Sequence, residues 1–108
     1  MIRHICMFKL KEENKAENIK TALLKLEEMK NISLIKRFEV VTNYEKAPES
    51  NYELSLIFDF ENMDDLNEYQ KNPVHVEFGK FISEVRESRA CIDYEFLIGT
   101  KRDLDRMQ

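Results

Sequence analysis

Four stretches of this chain alternate apolar and polar side chains with a period of two, and that pattern constrains its fold more than any other feature. A strand buries alternate residues, whereas a helix buries a stripe recurring every three to four. The clearest stretch is Tyr52 to Phe60. Tyr52, Leu54, Leu56, Phe58 and Phe60 face one way, and Glu53, Ser55, Ile57 and Asp59 the other. Ile2 to Leu10 sets Ile2, His4, Cys6, Phe8 and Leu10 against Arg3, Ile5, Met7 and Lys9. Leu34 to Thr42 groups Leu34, Phe38 and Val40, with Lys36 the polar exception. Ala90 to Ile98 groups Ala90, Ile92, Tyr94, Phe96 and Ile98.

Helical spacing fills the gaps. Asn14 followed by Glu17 approximates a capping box, and Ile19, Ala22, Leu23, Leu26 and Met29 follow as a stripe, which predicts a helix over 14–30. The stretch Asn43–Asn51, with Pro48, reads as a loop. Asn62 is positioned as a second cap, with Leu66 and Tyr69 after it. Asn72 and Pro73 suit the cap and first position of another helix, carrying Val74, Phe78, Phe81, Ile82 and Val85. Residues 63–88 are therefore one helical region broken at Asn72–Pro73.

The order is β-α-β-β-α-β, the split βαβ pattern. It predicts an α+β, ferredoxin-like domain with a four-stranded antiparallel sheet covered by helices on one face. All 108 residues form one domain, with a core over about 2–98 and a charged tail at 101–108. The strongly apolar strand faces belong under the helices. The opposite faces still carry Ile5, Met7, Ile35, Val41, Ile57 and Leu97 among Arg3, Arg37, Glu39, Glu53, Asp59, Asp93 and Glu95. A fully solvated sheet face is usually more polar. A second sheet from an identical chain would bury those apolar side chains, giving a homodimer in which two sheets form a barrel. An open sheet with scattered surface apolar residues is the plain alternative.

Charge excludes some partners. Seventeen basic and 21 acidic residues give a net charge of −4, without a basic block, so no nucleic-acid surface is expected. The first residues are interrupted by Arg3, His4 and Lys9 and lack the form of a secretory signal. No apolar run is long enough to span a membrane. Cys6 and Cys91 sit in strand-like segments and are expected as reduced, buried thiols. These readings together place the protein in the cytoplasm.

Candidate chemistry is sparse. Two histidines, His4 and His75, show no zinc-type spacing with the cysteines, so no metal is expected. Two glycines, Gly79 and Gly99, build no phosphate loop, and no cofactor is expected. His4 shares its strand face with Cys6 and Phe8. Burial there disfavours imidazolium and would leave a neutral ring able to accept a proton. Taken on its own, it reads first as a hydrogen-bonded core histidine. His75 lies in the first helical turn after Pro73, where the helix dipole opposes a positive charge. Tyr69 precedes it by six residues, which puts the two side chains roughly 120° apart on an unbroken helix. The break at Asn72–Pro73 could bring them together. On its own, Tyr69 reads as a core aromatic.

Four segments together look like one family. They are His-Ile-Cys-Met-Phe-Lys-Leu-Lys (4–11), Tyr-Glu-Leu-Ser-Leu-Ile-Phe-Asp-Phe (52–60), Leu-Asn-Glu-Tyr-Gln-Lys-Asn-Pro-Val-His-Val (66–76) and Asp-Tyr-Glu (93–95). In order and spacing they resemble the stress-responsive A/B barrel family, from His4 to about Phe96. The resemblance implies a homodimeric barrel with a pocket between sheet and helices. Some plant relatives are cofactor-free polyketide cyclases performing an aldol condensation, and their His, Tyr and His site positions match His4, Tyr69 and His75. Many other members have no known reaction. Where the family usually reads His-Pro-x-His, this chain reads Asn72-Pro73-Val74-His75, which removes one polar group.

Two functions follow. The first is a non-catalytic binding or stress-associated protein whose pocket holds a small apolar or polyketide-like molecule, or is simply filled by Phe and Leu side chains. The second is a cyclase in which His75 is the base, Tyr69 hydrogen-bonds the carbonyl and His4 orients the substrate. A cofactor-independent oxygenase, as found on related barrels, has no residue pattern selecting it.

Overall fold

The structure is a computed structural model and describes residues 1–97. The elements are β1 (Ile2–Leu10), α1 (Lys15–Glu27), β2 (Arg37–Thr42), β3 (Leu54–Phe60), α2 (Met63–Lys71), α3 (Pro73–Val85) and β4 (Arg86–Glu95). The sheet order is β2-β3-β1-β4, and every neighbouring pair is antiparallel. This is the ferredoxin-like α+β arrangement that the alternation predicts. Ile98 and the charged tail lie outside the described residues.

The helices cover one sheet face. From β1, His4, Cys6, Phe8 and Leu10 are buried beneath them, joined by Leu54, Leu56, Phe58 and Phe60 from β3. The helices supply Ala22, Leu26, Leu66, Tyr69, Phe78 and Ile82, with Met29 from the turn after α1. Fully burying one such large side chain contributes about 1.5–3 kcal/mol, and these two central strands supply half of the buried apolar side chains, the helical segments the other half.

Several local readings change. The first helix ends at Glu27 and tightens into a 3₁₀ turn over Glu28–Asn31. Asn14 does not cap it through its side chain. It sits in the left-handed region at φ 55°, and its carbonyl accepts from the Asn18 N–H at 2.9 Å. Asparagine tolerates that conformation better than most residues, and here it reverses the chain after β1. β2 is shorter than the apolar pattern, and Ile35, expected on the uncovered face, lies before it and packs against the core.

The largest correction concerns β4. It begins at Arg86, directly after α3, and a register irregularity separates Lys9 from Leu10. Along the regular part, Cys91 pairs with Cys6, Asp93 with His4, and Glu95 with Ile2. Asp93 and Glu95 therefore share the helix-side face, and Ala90, Ile92 and Tyr94 lie on the other. Alternation gives two faces but not which is inward. β4 is an edge strand beyond the helices, so its greasier side is free to face away from them.

The uncovered face thereby gains apolar surface. Ile5, Met7, Ile57, Ala90 and Ile92 are neighbours across three strands, with Val41 beside them on β2. Met7, Val41 and Ile92 are 38%, 42% and 59% exposed. Charge on this face is tied down at one end. Arg3 Nε and Nη2 donate to Asp59 Oδ1 and Oδ2 at 2.8 and 3.0 Å, and the Phe96 ring lies 4.4 Å from the guanidinium carbon. Such a two-pronged pair neutralises a buried carboxylate.

The junction between α2 and α3 has the predicted chemistry. Asn62 Oδ1 accepts from the Asp65 N–H at 2.9 Å and starts α2. Asn72 Oδ1 accepts from the Val74 N–H at 2.9 Å, with Pro73 at the first helical position of α3. Asn72→Ala removes that cap and is expected to cost about 1 kcal/mol, read as a lower urea midpoint with an unchanged slope.

Candidate functional site

A cavity of about 350 Å³ lies between the α2–α3 pair and the sheet. β1 contributes His4, Cys6 and Phe8, β3 contributes Leu56, and α2 contributes Tyr69 and Gln70. α3 adds His75, Phe78, Gly79 and Ile82, and β4 adds Arg86 and Arg89. All three candidate residues thus border one space. Two larger clefts, about 580 and 560 Å³, flank the loop after β2 and contain none of them. In the first, Lys15, its one basic side chain, is engaged by Glu12, with Nζ 2.7 Å from Oε1. The smaller cavity is therefore the better site.

His4 is buried, and its orientation is set from β4. Its Nδ1–H donates to the Asp93 carboxylate, the partner that the pairing register places opposite it. Nε2 then faces inward, 3.4 Å from Cys6 Sγ. That sulfur is not a free thiol. Cys6 and Cys91 form a disulfide, which corrects the expectation of two reduced thiols. The physical reason is the register: the two cysteines are directly opposed on neighbouring strands, with side chains on the same face.

Tyr69 is fully buried between the histidines. Its ring centroid lies 4.7 Å from that of His75, 6.3 Å from His4 and 5.0 Å from Phe60. The break at Asn72 brings Tyr69 and His75 together, as the sequence suggests. The Tyr69 hydroxyl points elsewhere and donates to Met29 Sδ at 3.5 Å. Burial holds the phenol well above its ordinary pKa, so it stays protonated. Tyr69 offers the cavity an aromatic wall, while its hydroxyl is engaged in the core.

His75 is half-buried. Its Nδ1–H donates to the Gln70 carbonyl at 3.0 Å, which leaves Nε2 as the unshared nitrogen. Its pKa is lowered, first by burial and then by the nearby His4 and Arg89, while the Gln70 carbonyl opposes the shift. The neutral ring therefore prevails at neutral pH. Sequence reasoning assigned Asp93 to the wrong face and did not single out Gln70, Arg86 or Arg89. Antiparallel partners keep a constant sum of residue numbers, so pairing Cys6 with Cys91 would have placed Asp93 opposite His4. Among the described residues, no group of three or more His, Cys, Asp or Glu side chains is gathered as a metal site.

The lowered His75 pKa has a consequence for stability. The unfolded chain binds this proton more readily than the folded one, so the contribution is complete above the usual value of 6.5 and is lost as pH falls through the folded value. Urea midpoints should fall on acidification through that range, and His75→Gln should flatten the fall.

No curated protein matches the chain. The sequence profile of the Stress responsive A/B Barrel Domain matches residues 2–96. A dimeric protein of unknown function with a ferredoxin-like fold, from Bacteroides fragilis, is 35% identical. The match spans 88% of this chain and 95% of that one, with a TM-score of 0.72. A Dabb family protein with a ferredoxin-like fold from Mesorhizobium loti is 24% identical over 90% and 97% of the two chains, with a TM-score of 0.73. A hydroxynitrile lyase from Passiflora edulis shares the fold at 16% identity over 92% and 95%, with a TM-score of 0.76. Between the profile, the Bacteroides relative and the sheet order derived above, this chain belongs to the stress-responsive A/B barrel family.

Proposed function

We propose that this is a homodimeric, cytoplasmic small-molecule-binding protein whose ligand occupies the cavity between sheet and helices. The observation carrying this reading is the convergence of His4, the Tyr69 ring and His75 on a space of about 350 Å³. That volume lies within the range of ligand pockets. Phe8, Leu56, Phe78 and Ile82 supply apolar wall, and Arg86 and Arg89 supply positive charge. A small, partly apolar molecule with carbonyl or carboxylate oxygens matches that lining, and a polyketide-like compound is one such molecule. No helix among the described residues is long and apolar enough to cross a membrane.

A catalytic reading has one observation in its favour: neutral His75, held through Nδ1, keeps Nε2 as a proton acceptor. In an aldol-type cyclisation it would remove a proton from an activated methylene. The Tyr69 hydroxyl bonds Met29 and would have to leave it to stabilise a developing oxyanion. Binding is therefore the first reading and cyclase chemistry the second. No residue arrangement favours an oxygenase.

The dimer reading rests on the uncovered sheet face and on the relatives described as dimeric. A second copy packed there would cover Ile5, Met7, Ile57 and Ile92 and close two sheets into a barrel. Light scattering should give twice the chain mass. Ile92→Glu, on an exposed side chain, should give a folded monomer; a wild-type monomer at micromolar concentration would overturn the dimer.

Binding is tested by titrating aromatic β-diketones and hydroxybenzoates while recording amide NMR shifts. Saturable shifts should map to α2, α3 and β1. At Gly79 an added Cβ meets no atom within 4 Å, so Gly79→Leu should fold and weaken binding at least tenfold. Equal binding by that variant would remove the cavity as the site. Turnover that disappears in His75→Ala would promote the catalytic reading.

A further inference from the structure

The Cys6–Cys91 disulfide occupies an unusual place for a staple. It joins residues already opposed in a sheet ladder. Its two ends also differ. Cys6 is 3% exposed and borders the cavity, whereas Cys91 is exposed on the edge strand β4. Among the described residues, polar groups collect at the buried end: His4 Nε2 lies 3.4 Å from Cys6 Sγ, and Arg89 Nη2 lies 3.9 Å from the same sulfur. Behind His4 stands Asp93, hydrogen-bonded to Nδ1.

That asymmetry matches the needs of thiol–disulfide exchange. A thiolate attacks the accessible sulfur, and the reaction is fastest when the other sulfur leaves as a stabilised thiolate. A histidine fixed by a carboxylate and a nearby guanidinium are groups that stabilise thiolate. Disulfides that persist in reducing compartments are usually transient and catalytic or redox-sensing rather than structural.

We propose that Cys6–Cys91 is a redox-active couple that exchanges with small thiols and disulfides, with Cys91 the entry sulfur, Cys6 the leaving sulfur and the His4–Asp93 pair its proton carrier. A small thiolate attacks Cys91 Sγ and forms a mixed disulfide there. The electron pair of the broken S–S bond passes to Cys6 Sγ, which accepts a proton from His4 Nε2–H when the ring is protonated. A second thiolate attacks the outer sulfur of the mixed disulfide and expels Cys91 as thiolate. In sum, two small thiols become one small disulfide, and the protein disulfide becomes two thiols. Of the two protons shed by the small thiols, one goes to the Cys91 thiolate and the other re-protonates His4. Run in reverse, the reduced couple reduces a small disulfide. This activity uses no cavity ligand, so it stands or falls separately from the binding reading.

The full-length oxidised chain is mixed with millimolar reduced glutathione, and free thiols are counted by alkylation and mass spectrometry while circular dichroism follows the fold. Reduction should proceed with the fold intact. The wild-type rate should follow the thiolate fraction of glutathione and, beyond it, the His4–Asp93 pair, which Arg89 from β4, Tyr69 from α2 and His75 from α3 surround. His4→Gln should slow reduction roughly tenfold through loss of the stabilised leaving group and alter that pH profile, with Asp93→Asn acting in the same direction. In single-cysteine chains, oxidised glutathione should modify Cys91 in Cys6→Ser much faster than Cys6 in Cys91→Ser. A disulfide that resists glutathione until the chain unfolds would overturn the proposal, as a structural staple behaves that way. So would equal modification of the two single-cysteine chains. Wild-type rates and pH profile in both His4→Gln and Asp93→Asn would remove the proton carrier.

Discussion

The register of β1 against its two neighbours is the constraint on which this molecule rests. β1 lies between β3 and β4, and its alternate residues His4, Cys6 and Phe8 face the helices. Against β3, the register sets His4 opposite Phe58 and Cys6 opposite Leu56; against β4, it sets the same residues opposite Asp93 and Cys91. A slip of one residue would turn all of them to the other face and bring Ile5 and Met7 inward. Apolar side chains could survive that exchange. Arg3 and Lys9, turned inward with them, could not do so cheaply, because an unpaired polar group in the core costs about 1–3 kcal/mol and a charged one more, and His4 would give up its Asp93 partner. The site's polar contacts thus help to specify the pairing that creates the site.

The same reasoning explains which features were legible in sequence. Period-two and helical spacing revealed the element order, because burial on one side imposes a pattern that composition alone does not hide. The break at Asn72–Pro73 was legible from local chemistry: an asparagine that caps and a proline that starts a helix. The inward face of β4 was not legible. Ala90, Ile92 and Tyr94 are the greasier set, yet they face away from the helices, and only pairing with β1 shows this. Asn14 was misread because its residue type suits both a side-chain cap and a left-handed turn, and the turn prevails. The three candidate residues were found together, but the carboxylate that orients His4 and the sulfur beside it depend on contacts between the two ends of the chain.

Tyr69 illustrates how one residue serves both the core and the cavity. Its ring closes the space between His4 and His75, and its hydroxyl reaches Met29 on the far side. The wall is rigid because it is also core. A residue so placed gives a ligand shape and an aromatic edge more readily than a proton. Asn72, standing where the family usually has histidine, contributes in a similar structural way: its side chain is engaged by the Val74 N–H. Asn72 therefore serves the fold rather than the cavity, and fold alone does not decide chemistry.

The distance along the chain between paired groups also sets the order in which the protein takes shape. His4 and Asp93 are 89 residues apart, and Cys6 and Cys91 are 85 apart. Closing loops of that length costs entropy before any contact repays it, and non-local pairing slows folding. During synthesis, the first strand emerges early and must wait for the last to leave the ribosome. The helices can settle on β1 and β3 in the meantime, with His4 lacking its carboxylate. The polar floor of the cavity is thus the last part to be assembled, and a nascent chain without β4 is a core without a site.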